Sequence, residues 1–247
     1  ARTVADVAAA LQVLAPGLGA LPAAPARARI LFTPRFGDAP VDPAIARLTQ
    51  QAAAQFAALG HHVEEADRFD LPNAVNAAWP TLSATGLAWM MAQPWRVPEF
   101  GLAEGQAPDT RLCTPAIQAT LKTGQEAPAA AMFALMAAVH HTREQLAGLF
   151  ARYDYILTPA AAALPWPGDD IYPPQIDGQD AGPRGHAVFT GPANAAGLPA
   201  IALPCGMAEG LPVGLQLIGK PQADAALLAL AAQYEAAHPW TAHWPPL

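Results

Sequence analysis

Apolar residues recur along the first part of the chain with a helical period. Residues 3–15 and 42–60 place apolar side chains three and four positions apart, which predicts two amphipathic helices. Asp42, followed by proline, is typical of a helix start because its carboxylate can accept a free amide hydrogen. The short runs RILFT at 29–33 and HVEEA at 62–66 flank this helix and are predicted to be strands. This strand–helix–strand order indicates an α/β sheet.

The rest of the chain carries further elements of both kinds. Helices are predicted over 73–92, 115–124, 128–152 and 223–237, and strands over 155–158, 199–204 and 213–218. The last two strands are separated by a turn that contains Glu209-Gly210, which favours a hairpin. Residues 159–185 are rich in proline and glycine and have no periodicity, so they are predicted to be a long loop.

Composition narrows the classes of function. The net charge is −7, and the two lysines, Lys122 and Lys220, belong to no basic run, so we expect no nucleic-acid partner. Cys113 and Cys205 form no disulfide framework, which favours a reducing, cytoplasmic setting. Charged residues make up only 13% of the chain. An alanine-rich composition is the favoured reason, and a surface that faces another protein is the alternative.

No segment indicates a membrane protein. Residues 4–15 are rich in alanine and leucine like a secretory signal, but Arg2 is the only basic residue before them and Asp6 interrupts them. Thr3 instead makes an ordinary helix start with Asp6. The longest apolar run, 127–139, is shorter than the roughly 18 residues that a membrane span needs, and it is predicted to be a buried helix.

The residues that could carry chemistry are few. Ser83, the only serine, lies in a predicted helix with no base at helical spacing. Cys205 stands between proline and glycine and is typical of a buried, inert thiol. The histidine pairs at 61–62 and 140–141 lack the spacing of a zinc helix and are interpreted as solvated or capping residues. We therefore expect no catalytic residue, no metal site and no cofactor in these residues.

The most informative stretch is 189–219, FTGPANAAGLPAIALPCGMAEGLPVGLQLIG. Its spacing alone indicates a glycine- and proline-rich loop followed by a strand, a turn and a second strand. The full string resembles the C-terminal signature of the amidase signature family, whose members hydrolyse or transfer amides. The other segments that resemble this family are 1–14 (ARTVADVAAALQVL), 153–159 (YDYILTP), 221–239 (PQADAALLALAAQYEAAHP), and the ending with Trp240 and Pro245-Pro246.

The resemblance implies a fold and a missing part. The family uses a lysine, a bridging serine and a nucleophilic serine, with backbone amides as an oxyanion hole. The family places these groups upstream of the helix that residues 1–14 resemble, and this chain has neither a Gly-Gly-Ser-Ser-Gly string nor an initiator methionine. We therefore expect residues 1–247 to be the C-terminal portion of an amidase domain. The expected fold is a mixed α/β sheet flanked by helices, one piece of a larger α/β/α domain.

The resemblance also implies candidate pocket residues. In the family the C-terminal portion forms a wall of the substrate pocket, and the matching positions are Thr158 and the loop from Ala187 to Asn194. Thr190 and Asn194 are predicted to line the pocket through side-chain hydrogen bonds, and bracing of the loop is an equally open alternative. Ala187 stands where the glutamine-using branch has an aspartate. This departure favours an amidase for a neutral or differently charged amide.

Three functional hypotheses follow from the resemblance. The leading one is the pocket-forming part of an amidase that acts on small-molecule amides once joined to its catalytic half, and that is inactive alone. The second is a catalytically dead binding module. The third is a subunit of a heteromeric amidotransferase, in which a partner chain carries the catalytic core.

Overall fold

The computed structural model describes residues 1–244, which form two compact units. The first unit contains residues 1–73 and the chain from 143 onward, and the second contains 74–142. The resemblance of Pro245-Pro246 to the family's tail lies outside the described residues. The helices are α1 (Val4–Leu14), α2 (Pro43–Ala58), α3 (Asn73–Ala92), α4 (Pro115–Glu126), α5 (Ala129–Arg152), α6 (Gly191–Ala196) and α7 (Asp224–Ala237). The strands are β1 (Arg29–Phe32), β2 (His62–Glu65), β3 (Tyr155–Pro159), β4 (Gln175–Ile176), β5 (Gln179–Asp180), β6 (Ala200–Ala208) and β7 (Leu211–Gly219).

The first unit is built on a five-stranded sheet in the order β2-β1-β3-β7-β6. Strand β1 is parallel to β2 and to β3, whereas β7 is antiparallel to β3 and to β6. The sheet is therefore mixed, and helices flank it, as the sequence predicts.

The β1–α2–β2 segment follows from local signals in the sequence. The Asp42 carboxylate accepts a hydrogen bond from the Ala44 amide at 2.8 Å, so it caps helix α2 as predicted. Gly60, after the end of the helix, has a φ of 96°, a left-handed conformation that favours glycine. Phe56 is fully buried, which fixes the apolar stripe of α2 against the sheet.

The predicted hairpin of β6 and β7 is confirmed. Glu209 and Gly210 have φ values of 52° and 78°, the conformation that a two-residue turn between antiparallel strands needs. The pairing shifts register between Pro204 and Gly206, where β6 contains a bulge.

Apolar side chains cover both faces of the sheet. One face packs against α1, α2 and α7, and its sheet residues include Ile30, Phe32, Tyr155, Leu157, Leu203, Leu215 and Leu217. Ile156 and Ile218 belong to a separate cluster with Leu146 and Phe150 of α5 and Ala193 of α6. Because neighbouring residues of one strand point to opposite faces, this division shows helices on both sides of the sheet.

Residues 159–185, which the sequence predicts to be a long loop, also contain regular structure. They contain the small antiparallel hairpin of β4 and β5. Asp177 and Gly178, with φ values of 51° and 70°, form its turn, and Ile176 is buried. The prediction is wrong here because the Asp-Gly pair, a strong hairpin signal, lies between strands too short to show a period of two.

The second unit is helical and contains a close helix contact. A Cβ added to Gly124 on α4 would lie 1.9 Å from the carbonyl oxygen of Ala84 on α3, so only glycine fits there. The predicted split between helices 115–124 and 128–152 is present, and it lies at 127–128, between the end of α4 at Glu126 and the start of α5 at Ala129. Ala127 is extended because the next residue is proline.

The apolar run 127–139 is not fully buried. Within it Leu135 is buried, whereas Phe133 and Met136 on helix α5 are 71% and 61% exposed. The prediction of a buried helix therefore holds for one face only. No helix within residues 1–244 has both the length and the apolar character that crossing a bilayer requires.

A charged cluster joins the ends of three strands. The Asp154 carboxylate, just before β3, accepts hydrogen bonds from the Arg29 amide at 2.9 Å and from Lys220 Nζ at 2.9 Å. The Arg29 guanidinium also lies 3.2 Å from it. Burial raises the pKa of Asp154, but the hydrogen bonds from Arg29 and Lys220 outweigh burial and lower that pKa to about 2.

The helix contact in the second unit gives the first prediction. Gly124→Ala should lower the free energy of unfolding by about 2 kcal/mol, because the added methyl group forces α4 away from Ala84. Gly86→Ala is the matched control, since a Cβ there meets nothing within 4 Å, and it should raise stability by about 1 kcal/mol. Urea unfolding followed by circular dichroism measures both. Equal stabilities for the two variants would contradict the close contact.

The charged cluster gives the second prediction. The pKa of Asp154 is lower in the folded chain than in the unfolded chain, so its stabilisation is present above pH 4 and disappears as the pH falls toward 2. Asp154→Asn should therefore cost about 1 kcal/mol at neutral pH and progressively less below pH 4. Urea unfolding at several pH values measures this, with Asp169→Asn, at an exposed carboxylate, as control. A loss that is independent of pH would show that the ion cluster does not stabilise the fold.

Candidate functional site

The side-chain amide of Gln216 connects the two segments that the family resemblance assigns to a pocket. Gln216 lies on β7 directly opposite Thr158 on β3, and both side chains are buried. Its Nε2 donates to Thr158 Oγ1 at 3.1 Å and to the Phe189 carbonyl at 3.0 Å. Thr158 and the segment that contains Ala187 and Thr190 are thus held together by one side chain.

The hydroxyl of Thr158 is fully engaged inside the protein. It donates to the Pro159 carbonyl at 2.7 Å and accepts from Gln216, and Thr158 has no exposed surface. In this structure Thr158 helps to brace the Ala187–Asn194 segment through Gln216. Its role as a lining residue stays a prediction.

The Ala187–Asn194 segment is partly helical, which corrects its interpretation as a loop. Helix α6 begins at Gly191, and Thr190 precedes it. The Thr190 hydroxyl donates to the Ala187 carbonyl at 3.0 Å, and the backbone N–H of Asn194 donates to the Thr190 carbonyl at 3.2 Å. Thr190 and Asn194 therefore lie one turn apart, with Thr190 half-buried and Asn194 exposed. Of the four predicted residues, Asn194 is the one with a freely accessible side chain.

Tertiary contacts fix both ends of this segment. Phe189 is fully buried, and its ring lies edge-on to that of Phe36 with 4.8 Å between centroids. At the other end, Arg143 Nε on α5 donates to the carbonyl of Ala195 at 3.1 Å. The position of Asn194 therefore follows from the core of the first unit.

Three residues near this segment are not among those predicted from the sequence. Besides Gln216, these are His186 and Trp166, whose ring centroids are 4.9 Å apart. Burial lowers the pKa of His186, and the positive charge of Arg184 lowers it further, so the imidazole is neutral at pH 7. A lone histidine in a glycine-rich loop gives no spacing signal. Gln216 did give one, because it is the single polar residue in the run VGLQLI.

Two surface cavities of the first unit lie apart from the predicted pocket residues. One, of about 480 Å³, is lined by the start of α1, by β6 and by residues 234–244. The other, of about 440 Å³, is lined mainly by residues 160–166 and 212–214. Trp166 is the residue that connects the second cavity with His186.

The alternative nucleophiles and ligands are occupied or buried. Ser83 Oγ donates to the Trp79 carbonyl of its own helix at 3.4 Å. Burial raises the pKa of the Cys205 thiol to about 12, so it carries no thiolate at pH 7. His61 is a buried acceptor for the Ala28 amide at 3.1 Å, which corrects its interpretation as a solvated or capping residue. Among residues 1–244, no three His, Cys, Asp or Glu side chains lie close enough to hold a metal ion.

The bridging amide gives the third prediction. Gln216→Met keeps the volume but leaves the Thr158 hydroxyl and the Phe189 carbonyl without their donor, which should cost about 2 kcal/mol. Gln175→Met, at an exposed position of β4, is the control and should change stability by less than about 0.5 kcal/mol. Urea unfolding measures both variants. Equal losses would mean that the buried amide does not hold the segment.

Sequence comparisons relate the chain to amide-transferring proteins. A family model described as Amidase matches residues 20–228. One relative, a subunit of the glutamyl-tRNA(Gln) amidotransferase of Thermodesulfovibrio yellowstonii, is 46% identical over 94 residues, which cover 37% of this chain and 18% of the relative. The corresponding protein of Symbiobacterium thermophilum is 42% identical over 86 residues, or 35% of this chain and 17% of the relative.

Solved structures extend the likeness to nearly the whole chain. A bacterial aryl acylamidase of the amidase signature enzymes matches with a TM-score of 0.75 and 26% identity, over 89% of this chain and 46% of its own. The 6-aminohexanoate cyclic dimer hydrolase in complex with its substrate matches with a TM-score of 0.77 and 26% identity, over 98% of this chain and 55% of its own. This chain thus spans about half of these solved relatives. With most of its length matched by the family model, the chain belongs to the amidase signature family.

Proposed function

We propose that this chain is the C-terminal, substrate-pocket-forming portion of an amide hydrolase, and that the nucleophile comes from residues outside these 247. The observation that carries the proposal is the family match over residues 20–228 in a chain that contains one serine. The span of about half of the solved relatives supports the same division.

The chemistry of acyl transfer supports inactivity of the chain alone. A nucleophilic hydroxyl needs a base within hydrogen-bond reach that can accept its proton. The Ser83 hydroxyl instead donates to a backbone carbonyl of its own helix. Lys220 Nζ likewise donates to the Asp154 carboxylate, at 2.9 Å, and not to a hydroxyl. The serine–serine–lysine arrangement that the resemblance implies would therefore come from the catalytic half.

The pocket segment favours a small, neutral amide as substrate. The methyl group of Ala187 offers no charge to pair with an ammonium group of a glutamine-like donor. Asn194 is exposed one turn from Thr190, and its amide can donate and accept one hydrogen bond each with a planar amide substrate. Gln216 holds this segment in place through its hydrogen bond to the Phe189 carbonyl.

A second candidate function is a subunit of a heteromeric amidotransferase. The relatives that are subunits of glutamyl-tRNA(Gln) amidotransferases favour it, at 46% and 42% identity over short segments. Ala187 counts against it for the reason just given. A binding module that keeps the pocket wall without catalysis is the remaining alternative, and it makes the same prediction for the isolated chain.

The fourth prediction concerns the purified 247-residue chain. With p-nitroacetanilide or a short aliphatic amide, it should release no nitroaniline or ammonia above buffer, because no activated nucleophile is present. Absorbance and an ammonia assay measure this, and mass spectrometry after a fluorophosphonate probe should show no adduct.

Ser83→Ala is the control and should behave like the unmodified chain in both assays. Turnover that survives purification, or an acyl adduct on any side chain, would refute the proposal. Turnover that Ser83→Ala abolishes would assign the reaction to Ser83 itself.

A further inference from the structure

Three positively charged side chains lie close to one carboxylate at the start of β3. Asp154 accepts hydrogen bonds from Lys220 Nζ at 2.9 Å, from the Arg29 amide at 2.9 Å and from the Arg29 guanidinium at 3.2 Å. Arg27 and Lys220 line, together with Asp154, a surface cavity of about 220 Å³. Three cations and one carboxylate leave a local excess of two positive charges, in a chain whose net charge is −7.

The protein itself uses only part of this positive charge. The Asp154 carboxylate is saturated, because one oxygen accepts from Lys220 and Arg29 and the other accepts twice from Arg29. Arg27 is exposed, and within residues 1–244 its guanidinium has neither an ion-pair nor a hydrogen-bond partner. Lys220 has two N–H groups beyond the one that Asp154 accepts. Arg27 and Lys220 can therefore both donate to a ligand in the cavity.

The start of helix α7 adds donors to the same cavity. Ala223 and Ala226 line it, and Ala223 stands at the N-cap position, where its methyl group accepts no hydrogen bond. The Leu227 amide is bonded to the Ala223 carbonyl, so the amides of residues 224–226 precede the first bond of the helix. These amides and the positive end of the helix dipole favour an anion. Asp224, the acidic residue of the first turn, does not line the cavity.

We propose that this cavity binds the phosphate group of a small molecule. The excess of two positive charges matches a phosphomonoester, which carries about −1.5 to −2 charges at pH 7, whereas a single carboxylate would leave one cation unmatched. Arginine, lysine and the amides of a helix start are groups that bind phosphate oxygens well. Pro25 and the ring of Tyr155 complete the lining and leave an apolar side for a small organic substituent.

The site goes beyond the proposed function. Every residue that lines the cavity belongs to the first unit, so the binding of phosphate needs no catalytic half. The cavity lies where β3 begins and β7 ends, whereas Thr158 and Gln216 belong to the other end of this strand pair. Bound phosphate would connect the start of α7 to the segment that leads into β1.

The test is binding of inorganic phosphate and of phenyl phosphate to the purified 247-residue chain. Isothermal titration calorimetry, with sodium chloride holding the ionic strength constant, should give one site per chain with a Kd of about 1 mM or lower, as expected for two or more charge-assisted hydrogen bonds. The midpoint of thermal unfolding should rise with phosphate concentration, because a ligand that binds only the folded state stabilises it.

Matched arginine variants test the role of charge at the cavity. Arg27→Gln should weaken phosphate binding about tenfold, the effect of losing roughly 1.4 kcal/mol. Arg47→Gln removes the same charge from an exposed position of α2 outside the cavity, and should leave the Kd unchanged within about twofold. Arg27→Lys keeps the charge and should weaken binding less than Arg27→Gln does.

A variant of Ala223 separates loss of binding from loss of folding. Ala223→Asp places a carboxylate at the cavity and should abolish phosphate binding, because the added charge repels the ligand and accepts from the same helix amides. The same carboxylate supplies the cap that α7 lacks, so the midpoint of thermal unfolding should stay the same or rise. Loss of binding in this variant is then not a result of unfolding.

Three results would overturn the proposal. They are no detectable phosphate binding at millimolar concentrations, equal weakening of binding by Arg27→Gln and Arg47→Gln, and unchanged binding in Ala223→Asp. A cooperative unfolding transition, recorded for each protein by circular dichroism, shows that these outcomes refer to the folded chain. Amide hydrolysis is not among the readouts, so the phosphate site and the proposed function can fail separately.

Discussion

The buried amide of Gln216 is the constraint on which the candidate site depends. An amide in an apolar strand costs free energy unless its hydrogen bonds are satisfied, and here Thr158 and the Phe189 carbonyl satisfy both donors. The geometry that meets this requirement also fixes the chain just before helix α6. The position of the candidate pocket segment is thus set by a requirement of the core, and Asn194 reaches the surface as a result.

The sequence predicts the mixed sheet and the ends of most elements because their signals are local. The Asp42 cap and the Glu209-Gly210 turn act within a few residues, and both are present in the structure. Helix α6 could not be predicted in this way. Its composition indicates a loop, and contacts with distant residues such as Arg143 stabilise its six residues as a helix. The partners of Gln216 are equally distant in sequence.

The candidate site is less predictable than the fold, and the reason is physical. Resemblance places Thr158 near the segment that contains Ala187, Thr190 and Asn194, and the hydrogen bonds of Gln216 connect the two. Resemblance to a family does not distinguish a hydroxyl that binds a ligand from one that forms hydrogen bonds within the protein. That distinction depends on burial, which for Thr158 is complete. Of the four residues, Asn194 is the exposed one, and its side-chain amide can both donate and accept hydrogen bonds.

Pro204, in the middle of β6, limits how this strand can pair with other copies of itself. A ladder of identical strands stacked in register would lack the same donor at every level, because proline interrupts each copy at the same place. Fibril-like stacking of β6 on itself is therefore disfavoured, whereas a dissimilar strand can place a residue that needs no donor opposite the gap. The missing N–H of Pro204 thus favours pairing of the β6 edge with a different strand over in-register pairing with a second β6.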